Sequence, residues 1–167
     1  MTSGRWPVTA LVIALGAVPA ALGQQARIVP IDTADYRALL GAARGGPVLV
    51  NFWATWCVPC VEEFPDLQRL KREYGPRGLT VILVSLDRPA DTATVVARFL
   101  RRRGEQSTVY IKKAGHDEAF INAVSDGWSG ALPATFVYDA GGKLRAMRID
   151  RQADKEFTRL ITPYLAR

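Results

Sequence analysis

An α/β fold, with a mixed β-sheet sandwiched between helices, is what this sequence predicts. Two patterns carry that reading. Apolar segments of strand length alternate with segments of helical spacing through most of the chain, and a glycine-turned hairpin followed by an amphipathic helix closes it. The length, 167 residues, is that of one domain. No internal repeat, low-complexity tract or second-domain linker interrupts it.

Hydrophobic residues make up 49% and charged residues 23%, which argues against a disordered, collagenous or fibrous chain. Two cysteines and one histidine build neither a closed four-ligand Cys/His zinc site nor a disulfide-dense scaffold. The net charge is +6, from 22 Lys+Arg against 16 Asp+Glu. Its densest run, Arg101-Arg102-Arg103, follows an apolar helical pattern and precedes Gly104. It reads as cations placed at a helix C-terminus, where the dipole favours them. Nucleic-acid binding wants a longer basic stripe with interleaved aromatics, so no nucleic-acid partner is expected.

Met1 to Gly23 reads as an export signal. Arg5 supplies a positive start, Val8 to Val18 is an uncharged, mostly apolar run, and Ala21-Leu22-Gly23 offers small residues two apart. The rivals are a buried N-terminal helix and an uncleaved membrane anchor, since the uncharged stretch from Trp6 to Arg27 is about long enough to span a bilayer. Residues 24–167 then form the domain. Export places the cysteines in a periplasmic or otherwise extracytoplasmic setting, where disulfides persist.

Arg27 to Ile31 is a short strand. Asp32 caps a helix to about Ala43, with Tyr36, Leu39 and Leu40 on its apolar face. Gly45-Gly46-Pro47 breaks the chain. Val48 to Ala54 is nearly continuously apolar, as a central strand covered on both faces must be. A helix starts near Cys57 and runs to Tyr74, turning Phe64, Leu67 and Leu70 inward, and Gly75-Pro76 and Gly78 end it. Leu79 to Leu86 is a second buried strand. Asp91 or Thr92 caps the next helix, with Val95, Phe99 and Leu100 on one side. Thr108 to Ile111 and His116 to Val124 suggest a short strand and a helix. Ala134 to Tyr138 and Leu144 to Ile149 are strands joined by the Asp139-Ala140-Gly141-Gly142 turn. The last helix starts near Asp154, and Phe157, Leu160, Ile161, Tyr164 and Leu165 repeat at helical spacing.

The chemistry concentrates at Cys57-Val58-Pro59-Cys60, which follows the buried strand and opens a helix. The first sulfur of such a pair lies beside unpaired backbone N–H groups at the positive end of the helix dipole, which favours thiolate. The thiolate is the nucleophile of thiol–disulfide exchange. Cys60 lies within reach to resolve a mixed disulfide, and Pro59 fits the first turn, where no N–H is needed. Cys57 is therefore expected to attack and Cys60 to resolve. A purely structural Cys57–Cys60 bridge is the alternative, but closing so short a loop restrains the unfolded chain little.

The run from Val50 to Pro65, with Trp53-Ala54-Thr55-Trp56-Cys57-Val58-Pro59-Cys60 at its centre, resembles the thioredoxin-like superfamily and, within it, the exported TlpA/ResA group of thiol–disulfide reductases. Leu132-Pro133-Ala134-Thr135-Phe136, followed by Asp139 and the Gly141-Gly142 turn, is the second landmark. The resemblance implies a thioredoxin-like fold with a TlpA-type insertion between Leu86 and Pro133. It makes Pro133 the cis-proline facing the cysteines, with the Leu132 backbone pairing to an extended substrate segment, where the residues alone read as an ordinary trans proline opening a strand. It matches Glu63 to a glutamate held near the cysteines, a partly buried carboxyl of raised pKa able to take the Cys60 proton. A solvated Glu on the first helical turn is the plainer reading of Glu63, and Glu62 fits it. Where plain thioredoxins carry a buried Asp, this chain has Asn51, which does not titrate. Trp53 is expected beneath the active-site loop and Trp56 on the docking surface, with simple core the alternative for either; Trp128 is expected beside the substrate groove or away from it with equal weight, and His116 on the surface. No organic cofactor or metal is implied, because the cysteine pair itself carries two electrons. The implied partners are disulfide-containing exported proteins, apocytochrome c foremost, and an upstream thiol donor. An oxidase or isomerase of secreted proteins and a redox-silent binding module remain the rival functions.

Overall fold

The computed structural model describes residues 25–43 and 45–165; the expected signal or anchor, Met1–Gly23, lies outside them. Six strands form one sheet in the order β1-β4-β3-β2-β5-β6. They are β1 (Ile28–Ile31), β2 (Val48–Trp53), β3 (Thr80–Ser85), β4 (Val109–Lys112), β5 (Ala134–Tyr138) and β6 (Leu144–Ile149). The pairs β1–β4, β4–β3 and β3–β2 are parallel, whereas β5 runs antiparallel to both β2 and β6. The helices are α1 (Thr33–Ala42), α2 (Val58–Tyr74), α3 (Ala97–Arg102), α4 (Asp117–Val124) and α5 (Asp154–Ile161). This is the predicted mixed α/β architecture. The edges of the sheet are β1, only four residues long and carrying Pro30, and β6, which exposes Arg145 and Arg148.

Every residue of β2 is buried, and alternate side chains enter opposite layers. Leu49 and Trp53 join Phe64, Leu67 and Leu70 of α2 and Phe157 and Ile161 of α5. Val50 and Phe52 join Tyr36 of α1, Phe120 of α4, Trp128 and Phe136 on the other face. Asp32 caps α1 as predicted, accepting from the N–H groups of Ala34 and Asp35 while the Asp35 carboxylate accepts from the Asp32 N–H.

Pro65 sits inside α2, where its missing N–H leaves the Val61 carbonyl without its helical donor. The Arg103 guanidinium supplies one at 3.3 Å, with its cation over the Phe99 ring. The last residue of the arginine run thus mends the broken ladder of α2, a task that a C-terminal dipole argument does not foresee.

The segment from Leu86 to Pro133 holds α3, β4 and α4, with β4 lying between β1 and β3. Its first helix departs from expectation. Neither Asp91 nor Thr92 makes a side-chain cap, and the Asp91 carboxylate instead pairs with Arg88. A π-turn over Thr92–Val96 precedes α3 and adds a residue to the turn, so Val96 rather than Val95 is buried in line with Leu100. At the C-terminus, α5 stops at Ile161 and a 3-10 turn over Thr162–Tyr164 follows, because Pro163 cannot continue the ladder. Leu165 still reaches the core. Trp128 is 2% exposed and packs on Phe52 and Phe136; it belongs to the core and not to a groove.

Candidate active site

The end of β2 delivers the chain into the cysteine pair. Cys57 is the N-cap of α2: its backbone is extended, and its Sγ accepts from the Cys60 N–H at 3.3 Å. The two sulfurs are bonded, with Cα atoms 5.2 Å apart. Cys57 is 6% exposed and Cys60 fully buried, so only the first sulfur meets solvent. Val58 and Pro59 open the helix, and Pro59 occupies a position that needs no donor. Trp56 and Val58, the two neighbours of Cys57, are 66% and 68% exposed. Two large apolar side chains thus stand in solvent on either side of Cys57.

The loop before the cysteines is held by a group that sequence reasoning missed. The buried Asp87 carboxylate accepts from the Thr55 N–H at 2.9 Å, the Thr55 hydroxyl at 2.5 Å and the Ser85 hydroxyl at 2.7 Å. Trp53 O, in turn, accepts from the Leu86 N–H. The end of β3 thus clamps Thr55 and aims Trp56 outward. An Asp two residues past a strand end looks like any turn residue; nothing local ties it to Thr55.

The Leu132–Pro133 peptide bond is cis. Hydrogen bonds fix both flanks: Trp128 Nε1 donates to Ala131 O at 2.9 Å, and the Asp150 N–H donates to Pro133 O at 3.0 Å. Gly130 reaches this turn with φ +86°, and a β-carbon there would stand 2.7 Å from Ile121 Cδ1. Leu132 and Trp56 line a cleft of about 590 Å³, together with Leu86, Pro89, Ile121 and Lys112.

Glu63 is 0% exposed, deeper than the partly buried position expected. One carboxyl oxygen accepts from Asn51 Nδ2 at 2.7 Å and the other from the Gln152 N–H at 2.9 Å. Burial pushes its pKa up to about 7, against the lowering effect of those two bonds and of the Arg151 charge. The residue that replaces the thioredoxin Asp is therefore the partner of Glu63. Asn51 Nδ2 also donates to Thr135 Oγ1 at 3.0 Å, while its buried Oδ1 has no partner. An amide offers an acceptor when it turns over, so Asn51 can meet Glu63 in either protonation state. Neither Glu63 oxygen bonds a sulfur in this disulfide form. Three residues past Cys60 on α2, it shares that helix face. Glu62 is exposed and pairs with Arg151 at 3.5 Å.

Trp53 lies fully buried under the loop, against Phe64 and Phe99, and its Nε1 has no partner. His116 is exposed at the start of α4. Among the described residues, no three His, Cys, Asp or Glu side chains cluster as metal ligands would, and no helix is long and apolar enough to cross a membrane.

The AhpC/TSA family matches residues 21–147. The thioredoxin-like protein YneN of Bacillus subtilis is 31% identical over 135 residues, which cover 80% of this chain and 75% of the relative. The thiol–disulfide oxidoreductase ResA of Bacillus thuringiensis is 29% identical over 146 residues, covering 85% and 79%. Among solved structures, a thioredoxin-family thiol:disulfide interchange protein of Chlorobium tepidum superposes with a TM-score of 0.62 at 24% identity, over 75% of this chain and 84% of that one. A secreted thiol–disulfide isomerase of Corynebacterium glutamicum gives 0.61 at 21% identity, over 75% and 74%. These two likenesses concern the fold.

Proposed function

This chain belongs to the AhpC/TSA family of thioredoxin-like proteins and is a thiol–disulfide oxidoreductase of the ResA type; from that premise we propose that it works outside the cytosol as a reductant of disulfides in other exported proteins, with apocytochrome c the leading specific client. The observation that carries the reading is the asymmetry of the pair. Cys57 keeps a little solvent exposure next to the exposed Trp56, whereas Cys60 is fully buried, three residues before the buried Glu63 on α2.

In the reduced protein, a client disulfide docks along Leu132–Pro133. The Cys57 thiolate attacks one client sulfur, and the other leaves as a thiolate that takes up a proton. Cys60 then loses its proton to Glu63, with one water between them or after its thiol turns along the helix face, and attacks Cys57. The enzyme disulfide forms as the second client thiol departs, so two electrons pass to the client and an upstream thiol donor restores the pair. An ionised Glu63 opposes thiolate on the same helix face. That disfavours the reduced form and lowers the potential, which suits a reductant.

Cys60→Ala is expected to accumulate mixed disulfides with natural clients, read by mass spectrometry, and Cys57→Ser to accumulate none. Equal trapping by both variants refutes the assignment of roles. A potential as oxidising as about −120 mV would make the protein an oxidase instead.

A further inference from the structure

The loop between β6 and α5 touches both halves of the site. The Asp150 N–H donates to Pro133 O at 3.0 Å, and two residues on the Gln152 N–H donates to Glu63 Oε2 at 2.9 Å. Gln152 Nε2 closes the loop on Asp150 O at 2.9 Å. Between them, Arg151 places its guanidinium 3.5 Å from Glu62 on α2. Asp150 holds φ at +128°, a region that residues with a β-carbon rarely adopt, and one kept only where the surroundings over-determine it. Here they do: the loop begins directly after Ile149, the last residue of β6 paired to β5.

We propose that Asp150–Gln152 is the positioning loop of the reaction, a clasp that fixes the Glu63 carboxyl and the Pro133 carbonyl in one frame, with Arg151 as its charged member. The inference rests on Glu63 taking the Cys60 proton. The charged groups acting on Glu63 are Arg151 from the loop and Asp66 from α2. Neutral Asn51 faces it from β2, and Cys60, on its own helix face, titrates once the disulfide opens. Of these, Arg151 alone is both cationic and half exposed, so its replacement changes the field at Glu63 without opening the core.

The test follows reduction of a fluorogenic disulfide peptide against pH, together with a carbon-13 NMR titration of the Glu63 carboxyl in the reduced protein. Arg151→Gln is expected to raise the Glu63 midpoint by roughly half a pH unit. Below the midpoint, that slows resolution about threefold. Gln152→Pro removes the N–H donor; it is expected to raise the midpoint further and, by freeing the loop from Pro133, to increase KM several-fold. Both pH shifts should vanish in a Glu63→Gln background. If Glu63→Gln moves the pH profile while the loop variants do not, or if Gln152→Pro leaves KM unchanged, the clasp is refuted and the proton-acceptor reading survives. If Glu63→Gln leaves the profile unchanged, that reading fails and the clasp falls with it. Should Gln152→Pro not fold, Arg151→Gln decides alone by its midpoint.

Discussion

Replacing Glu63 by Gln should make the oxidised protein more stable at pH 8 and about 1 kcal/mol less stable at pH 4.5. The unfolded chain releases this proton near 4.5, while the folded protein keeps it to about 7. Between those values the native state binds more protons than the unfolded one, so stability falls as pH rises through that window and is flat on either side. At 1.36 kcal/mol per pH unit, a rise from 4.5 to about 7 amounts to about 3 kcal/mol lost by pH 8. A Gln cannot ionise and loses none of this. It keeps the Gln152 N–H bond through its own oxygen and turns its amide toward Asn51, whose free Oδ1 then accepts. Allowing about 1 kcal/mol for an imperfect bond, the variant should gain roughly 2 kcal/mol over wild type at pH 8. Urea denaturation of both oxidised proteins at the two pH values, followed by tryptophan fluorescence, measures the difference, and other titrating groups cancel in it. A wild-type-to-variant difference that is the same at both pH values refutes the buried, proton-holding carboxyl.

Asp87→Ala removes the acceptor of three donors at the cysteine loop; it should cost about 2 kcal/mol in urea denaturation and slow peptide-disulfide reduction as Thr55 and Trp56 loosen. Arg103→Ala leaves Val61 O without a donor and should cost about 1 kcal/mol, with the exchange rate nearly unchanged. Asp150→Gly relieves the positive φ while keeping the N–H to Pro133, and a thermal melt should show a gain of about 1 kcal/mol. Glu105→Ala should destabilise by about 2 kcal/mol, because its buried carboxylate holds the Ser107 hydroxyl and N–H and the Lys71 ammonium. Burial alone would raise the Glu105 pKa, but those bonds hold it down at about 2, so its contribution is kept above pH 4.5 and fades as pH falls toward 2.

What was legible in the sequence is what nearest neighbours along the chain decide. The unbroken apolar run of β2 left only a doubly covered strand, and the Asp32 cap, the Asp139–Gly142 turn and the helix opening at Cys57 are local events. The departures each involve residues far apart in sequence. The extra residue of the π-turn, which exchanged Val95 for Val96, depends on how α3 meets the core. Trp128 reads equally well as groove or core until Phe52 and Phe136 are seen beneath it. Asp87, Arg103 and Gln152 act on Thr55, Val61 and Glu63, partners 32, 42 and 89 residues away. Glu63 was singled out, but its depth follows from Asn51 and Thr135, which face each other only because β2 pairs antiparallel with β5.

The two outer strands bear on the company this enzyme keeps. An extended segment of any other chain carries backbone able to join a ladder. An open row of amides would capture such segments indiscriminately. β1 is too short to recruit a stray segment and lacks an amide hydrogen at Pro30; β6 has a register shift against β5 and bears Arg145 and Arg148. With both margins of the sheet inhospitable, a visitor is left to be met at the sulfur.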